Sequence, residues 1–241
     1  MINFATDNYW LNLDKPVGIS SARAVAIVKR LTGAKKVGHG GTLDPFADGI
    51  LPIAVNKATK TAEAMMATRK KYNFRIQWGE FRDTDDIEGK VEESSAARPS
   101  TAQLAVILSQ LTGKIQQTPS RFSAIKIDGK RAYELAREGK VFEMKLREIE
   151  IFSIKLISNS SEFCEIEVAC SKGTYIRSLA RDIAKKLQVC GFVSKLTRLE
   201  VGQFRYENKI SLETLKNAVK FNGTLLDGSL LLLQDALKVH Q

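Results

Sequence analysis

Gly38-His39-Gly40-Gly41-Thr42-Leu43-Asp44-Pro45-Phe46-Ala47-Asp48-Gly49 is the segment of this sequence best suited to chemistry. Its four glycines let the backbone approach a ligand closely or adopt positive φ. Pro45 biases Asp44 toward an extended conformation, so a carboxylate is mounted on a stiff turn and can be aimed at a substrate. The same features also describe an ordinary Asp-Pro turn, and composition alone does not choose between the two. The loop lacks G-x-x-x-x-G-K-[ST] and is neither a P-loop nor a dinucleotide fingerprint.

Metal chemistry has little to draw on. The histidines are His39 and His240, and the cysteines are Cys164, Cys170 and Cys190 without C-x-x-C spacing. Four well-spaced zinc ligands cannot be assembled from this set, and the odd cysteine count gives no disulfide framework. The 37 Lys and Arg against 27 Asp and Glu leave a net charge of +10. Basic surface of that kind fits a polyanion partner, because a phosphate backbone bound to it releases counterions.

Several elements must position the loop. Ser20-Ser21 precedes Ala24, Val25, Val28 and Leu31 at helical spacing, and Gly33 stands where a helix would stop. Ile50 to Val55 reads as a short strand with Pro52 near its start or at a sheet edge. Tyr72, Phe74, Ile76 and Trp78 alternate with polar residues, which predicts a half-buried strand over 71–78. An acidic loop spans Asp83 to Gly89, and the small polar residues 91–100 read as mobile chain.

Farther along, helices are expected after Ser100, over 131–138, over 174–187 and after Ser211, with paired strands at 146–157 and 162–170. Residues 193–204 read as strand, and Leu225 to Ala236 as a closing segment of the core. The cysteines at 164 and 170 fall on an apolar strand face and read as core residues. The whole pattern is α+β with a mostly antiparallel sheet.

The segment from Gly38 to Pro52 resembles the catalytic motif of TruB-type tRNA pseudouridine synthases, G-H-x-G-x-L-D-P-x-A-x-G-x-L. Further segments agree in order: Leu13-Asp14-Lys15-Pro16-Val17-Gly18, Lys71-Tyr72 through Gly89, and Pro119 through Gly139. Cys170-Ser171-Lys172-Gly173-Thr174-Tyr175-Ile176-Arg177-Ser178-Leu179 and Lys195-Leu196-Thr197-Arg198-Leu199 complete the set, which covers roughly residues 11–205. Several ordered motifs are far more specific than one. Arg82 departs from the family pattern, which often has threonine there.

The resemblance implies a pseudouridine synthase fold, with helices flanking a mixed, mainly antiparallel sheet around a central active-site cleft. It implies isomerisation of uridine to pseudouridine at position 55 of the tRNA T loop, without cofactor or metal. Asp44 is the implied catalytic carboxylate, Arg177 its partner and Tyr72 the active-site tyrosine. His39 is implied to approach the space left by the flipped base, and Tyr175 and Leu196 to line the substrate pocket. Lys15 and Lys126 are expected phosphate contacts, with Lys70, Lys71, Lys130 and Arg131 as further candidates. The expected organisation is a catalytic domain over 1–205 and a segment over 206–241 that completes it, with the accessory PUA domain absent or vestigial. No run approaches the ~20 apolar residues that span a bilayer, and Met1 to Asp7 does not read as a signal peptide, so a cytoplasmic protein is expected, acting on tRNA as a monomer without membrane or obligatory protein partner. Competing readings are the same chemistry in a guide-RNA complex, a non-catalytic RNA-binding protein, and an α+β protein unrelated to RNA.

Overall fold

Helix formation begins where the caps dictate. The Ser20 hydroxyl accepts from the Arg23 amide, and Gly33 ends the helix in the left-handed region at φ 68°. A second helix carries a reciprocal capping box between Ser100 and Gln103. The computed structural model describes residues 2–221 and 228–233.

In chain order the first elements are β1 (Tyr9–Lys15), α1 (Ser21–Thr32), β2 (Val37–His39), β3 (Asp48–Val55), α2 (Ala62–Ala67), β4 (Lys70–Trp78), β5 (Glu80–Arg82) and β6 (Val91–Ser94). Next come α3 (Thr101–Gln110), β7 (Gly113–Gln117), β8 (Lys126–Ile127), β9 (Lys130–Arg131) and α4 (Ala132–Arg137). The last are β10 (Arg147–Asn159), β11 (Phe163–Cys170), α5 (Ile176–Lys186), β12 (Gly191–Val201), β13 (Phe204–Arg205), α6 (Leu212–Phe221) and β14 (Leu230–Leu232).

The chain divides into two units. One comprises the segments up to Tyr72 and from Leu196 onward, the other Asn73–Lys195. In the first, strands follow the order β14-β1-β3-β12, with β2 beside β3 and β13 beside β12. β1 and β3 are antiparallel along their length, from Tyr9 opposite Val55 to Lys15 opposite Gly49. β12 meets β3 in parallel, Thr197 opposite Asp48 and Arg198 opposite Gly49. Helices α1 and α6 lie against each other, and α6 also meets β1. Trp10, Ile50, Ala54, Met65, Val201 and Phe204 form one apolar cluster of this unit.

In the second unit the order is β12-β4-β11-β10-β7, and two hairpins, β5–β6 and β8–β9, stand apart from it. β4 buries every second residue, with Phe74 and Ile76 fully enclosed. Enclosing an aromatic or branched aliphatic side chain contributes roughly 1.5–3 kcal/mol. Cys164 and Cys170 are buried on β11, as their alternation predicts, and burial pushes the Cys164 thiol up to about 12. Helix α3 packs on β10 and touches α5. The architecture is α+β with a mainly antiparallel arrangement, as expected from the sequence.

Two expectations change. Pro52 lies inside β3, not at its start or an edge, and stands opposite Asn12 of β1. Its carbonyl accepts from the Gly40 amide on the other flank. On that flank β2 pairs with residues 53–55 and β12 with residues 48–49, so the missing N–H falls between two partners. Residues 91–94, read as mobile, form β6 in an exposed hairpin with β5. Of the expected closing segment, residues 228–233 are described and pair with β1 through β14, while 225–227 and 234–236 lie outside the described residues, as does His240. No helix among the described residues is long and apolar enough to cross a membrane.

Candidate active site

The residues singled out in the sequence fall in both units. Asp44, His39, Lys15, Tyr72 and Leu196 belong to the first, and Arg177, Tyr175 and Lys126 to the second.

In the first unit, Leu43, Phe46 and Ala47 turn inward while Asp44 stays half-exposed. Apolar anchors on both sides thus leave Asp44 at the protein–water boundary. The Ala47 amide donates to the Asp44 carbonyl at 3.1 Å and closes the turn with Pro45 in its second position. The loop is tied from three further elements. The Ser21 hydroxyl of α1 donates to the Leu43 carbonyl and accepts from its amide, each at 2.9 Å. Arg198 of β12 donates to the carbonyls of Ile50 at 2.7 Å and of Thr42 and Gly41 at 3.1 Å. The Lys15 ammonium at the end of β1 donates to Pro16 and Ile19 carbonyls at 2.8 and 2.9 Å, and to Pro45 at 3.4 Å.

Lys15 therefore departs from its expected role. It is fully buried, and three carbonyls surround its ammonium, so these bonds hold the turn instead of presenting a charge to phosphate. Lys70 is similarly buried, its ammonium donating to the Met66 and Thr68 carbonyls. His39 is half-buried at the end of β2, and its Nδ1 accepts from the Gly41 amide at 3.3 Å. That bond orients the ring within the glycine-rich segment. Gly40 is needed for close approach, because a Cβ there would stand 2.5 Å from Met65 Cγ. Tyr72 is buried on the apolar face of β4, and Leu196 is buried on β12.

In the second unit, Gln117 of β7 binds both backbone groups of Tyr175. Its side chain accepts from the Tyr175 amide at 2.9 Å and donates to the carbonyl at 3.1 Å. α5 then starts at Ile176, which places Arg177 in its first turn, almost wholly buried. The Arg177 guanidinium donates to the Thr84 and Phe122 carbonyls at 2.9 and 3.0 Å and stands 3.4 Å from Asp86 Oδ2. One turn later, Arg181 pairs with Asp85 at 3.0 Å and donates to the Thr118 carbonyl at 2.7 Å.

The acidic loop thus serves as a counterion holder for two arginines of one helix. Burial pushes the Asp85 carboxyl above its usual range, and Arg181 opposes that shift. Asp85 also takes a positive φ of 62° while its carbonyl accepts from the Val193 amide. Arg82, the departure from the family pattern, donates to Glu80 and to the Ile87 carbonyl and lies over the Phe192 ring, so it braces this loop. Lys126 is exposed on β8, opposite Arg131 of β9, in a hairpin that also exposes Lys130.

Sequence reading missed Ser21, Gln117, Arg181 and Arg198 as supporting side chains. Ser21 was visible only beside a helix cap, and Arg198 only inside a motif that gave it no role.

Comparison with known proteins gives one consistent family. The TruB family pseudouridylate synthase N-terminal domain matches residues 29–176, and the tRNA pseudouridylate synthase B C-terminal domain matches residues 177–238. A curated relative from Bartonella tribocorum, tRNA pseudouridine synthase B, is 46% identical over 219 residues, covering 90% of this chain and 68% of that one. Its counterpart in Brucella anthropi is 48% identical over 210 residues, covering 87% and 65%. The chain spans about two thirds of the length of these curated relatives. Among solved structures, a chain of a Cbf5–Nop10–Gar1 complex superposes with a TM-score of 0.75 at 26% identity, covering 96% of this chain and 62% of that one. A chain of an H/ACA RNP bound to a substrate RNA shares the fold at a TM-score of 0.72 and 24% identity, covering 96% and 61%.

Proposed function

This chain belongs to the TruB family of pseudouridylate synthases, and on that premise we propose that it isomerises uridine to pseudouridine at position 55 of the tRNA T loop with Asp44 as its catalytic carboxylate. The observation that carries the reading is the mount of Asp44: a half-buried aspartate on a turn tied down by Ser21, Lys15 and Arg198. Holding a reacting group in one geometry is a large part of what an enzyme supplies.

The reaction breaks the N1–C1′ bond, turns the uracil and joins C5 to C1′. A proton leaves C5 and one is gained at N1, so atoms and electrons balance without an external reagent. An ionised carboxylate beside the ribose and the base serves this chemistry. Arg177 is proposed to act in the same step, its buried guanidinium favouring the charged state of a carboxylate partner. Tyr72 is proposed as the aromatic that meets the base, and Tyr175 and Leu196 as lining of the uridine pocket.

A uridine inside a folded loop must leave its stack to be reached. His39, oriented by the Gly41 amide, is proposed to occupy the vacated space. Lys126 and its hairpin neighbours Lys130 and Arg131 are proposed to contact phosphates, where exposed charge is effective. The chain is proposed to act as a cytoplasmic monomer without an obligatory protein partner.

The test is incubation of the purified chain with unmodified tRNA, followed by mapping of pseudouridine. A tRNA with a mutated T loop serves as the control. Asp44→Ala is expected to abolish the product while leaving tRNA binding intact. Turnover retained by that variant sinks the assignment.

A further inference from the structure

We propose that Arg198 is a positioning residue for the Asp44 loop, acting through the backbone on both of its stems. The proposal rests on the reading of Asp44 as the catalytic carboxylate.

Arg198 is 1% exposed. Burying a guanidinium is costly unless its N–H groups are matched. Here all three nitrogens are matched, and every acceptor is a carbonyl of the Asp44 loop or its stems. Nη2 binds Gly41 and Nη1 binds Thr42 on the arriving side, while Nε binds Ile50 on the departing side. Asp44 lies between these two groups of contacts. A planar fork with fixed N–H directions sets the separation of the stems, which a single ammonium cannot do.

The root of the side chain is equally constrained. Arg198 sits opposite Gly49 in the parallel pairing of β12 with β3. A Cβ on Gly49 would stand 2.4 Å from the Arg198 carbonyl oxygen, so the two backbones are at closest approach there. Gly49 itself holds φ at 97°. The guanidinium therefore reaches the loop from a fixed point, and the turn bearing Asp44 inherits its position from β12.

The test uses the full chain and compares Arg198→Lys with the parent. A small misplacement of a reacting group slows chemistry without weakening binding, so the single-turnover rate on unmodified tRNA is expected to fall about 100-fold. Affinity for the same tRNA, measured under non-turnover conditions, is expected to stay within about threefold. A folded Arg198→Lys variant with a rate near the parent's overturns the proposal. So does a loss confined to melting temperature and active fraction, with a normal rate per active molecule, because a merely structural residue behaves that way. Arg198→Gln, which keeps donors without charge, carries the same comparison if the lysine variant does not fold. Asp44→Asn is run in parallel. Turnover by Asp44→Asn overturns the reading of Asp44, whereas an inactive Asp44→Asn beside an unslowed Arg198 variant overturns this proposal alone.

Discussion

The Ser21 hydroxyl makes two hydrogen bonds to one residue, donating to the Leu43 carbonyl and accepting from the Leu43 amide, each at 2.9 Å. Leu43 directly precedes Asp44, and Ser21 is buried. Ser21→Ala leaves both backbone groups without this partner, at about 1–3 kcal/mol. For a chain of this size the melting temperature should fall by about 3–10 °C. The rate of pseudouridine formation should fall as well, measured by single turnover below the transition. A melting curve and rate equal to the parent's would show that the loop does not depend on this bond.

Arg177 and Asp86 form a second pairing of consequence, at 3.4 Å with side chains 6% and 5% exposed. Asp86→Asn keeps the shape and removes the charge. Breaking a buried pair on one side costs up to about 3–5 kcal/mol, because the remaining charge is left in a poor medium. The carbonyls of Thr84 and Phe122 still hold two of the guanidinium nitrogens, so the fold should survive. Reduced stability together with slower turnover is the expected result in denaturant melts and single-turnover assays. Unchanged turnover would separate Arg177 orientation from the chemistry.

Glycines of the Asp44 loop should differ sharply in tolerance. Gly49→Ala forces a Cβ against Arg198 backbone atoms at 2.4 and 2.9 Å, at a φ of 97°. Strain at such a site exceeds about 4 kcal/mol and should give insoluble or inactive protein. At Gly38 an added Cβ would meet Thr59 Cγ2 at 3.7 Å, an ordinary contact, and φ is not positive. Gly38→Ala should stay within roughly 1 kcal/mol of the parent. Equal behaviour of the two variants in solubility and melting would contradict the packing of β3 on β12.

These variants also mark what a sequence can reveal. Period-two burial at Phe74, Ile76 and Trp78, and the caps Ser20 and Gly33, depend on neighbours in the chain, so both were legible. Asp44 was legible because its motif is local. Lys15 and Arg198 were not, because charged residues default to solvent and only the tertiary fold supplies the carbonyls that enclose them. Ser21 and Gln117 act on backbone groups, which leave no side-chain signature to match. The place of Pro52 inside its strand is not legible for a related reason: whether a missing N–H matters depends on which flank of the strand it faces.

Salt dependence separates Lys15 and Lys126, the two lysines that the sequence suggests as phosphate contacts. Lys126 is exposed on the β8–β9 hairpin, whereas Lys15 is enclosed among the carbonyls of Pro16, Ile19 and Pro45. A phosphate contact shows itself in the slope of log affinity against log salt, because each neutralised phosphate releases counterion. Lys126→Ala should weaken tRNA binding and reduce that slope by about 1. Lys15→Met should leave the slope unchanged and act through the turn it holds, lowering stability and turnover together. Filter binding of unmodified tRNA over a salt series, with a melting curve for each variant, measures both effects. A reduced slope for Lys15→Met would restore that residue to the RNA interface. An unchanged slope for Lys126→Ala would remove the hairpin from it.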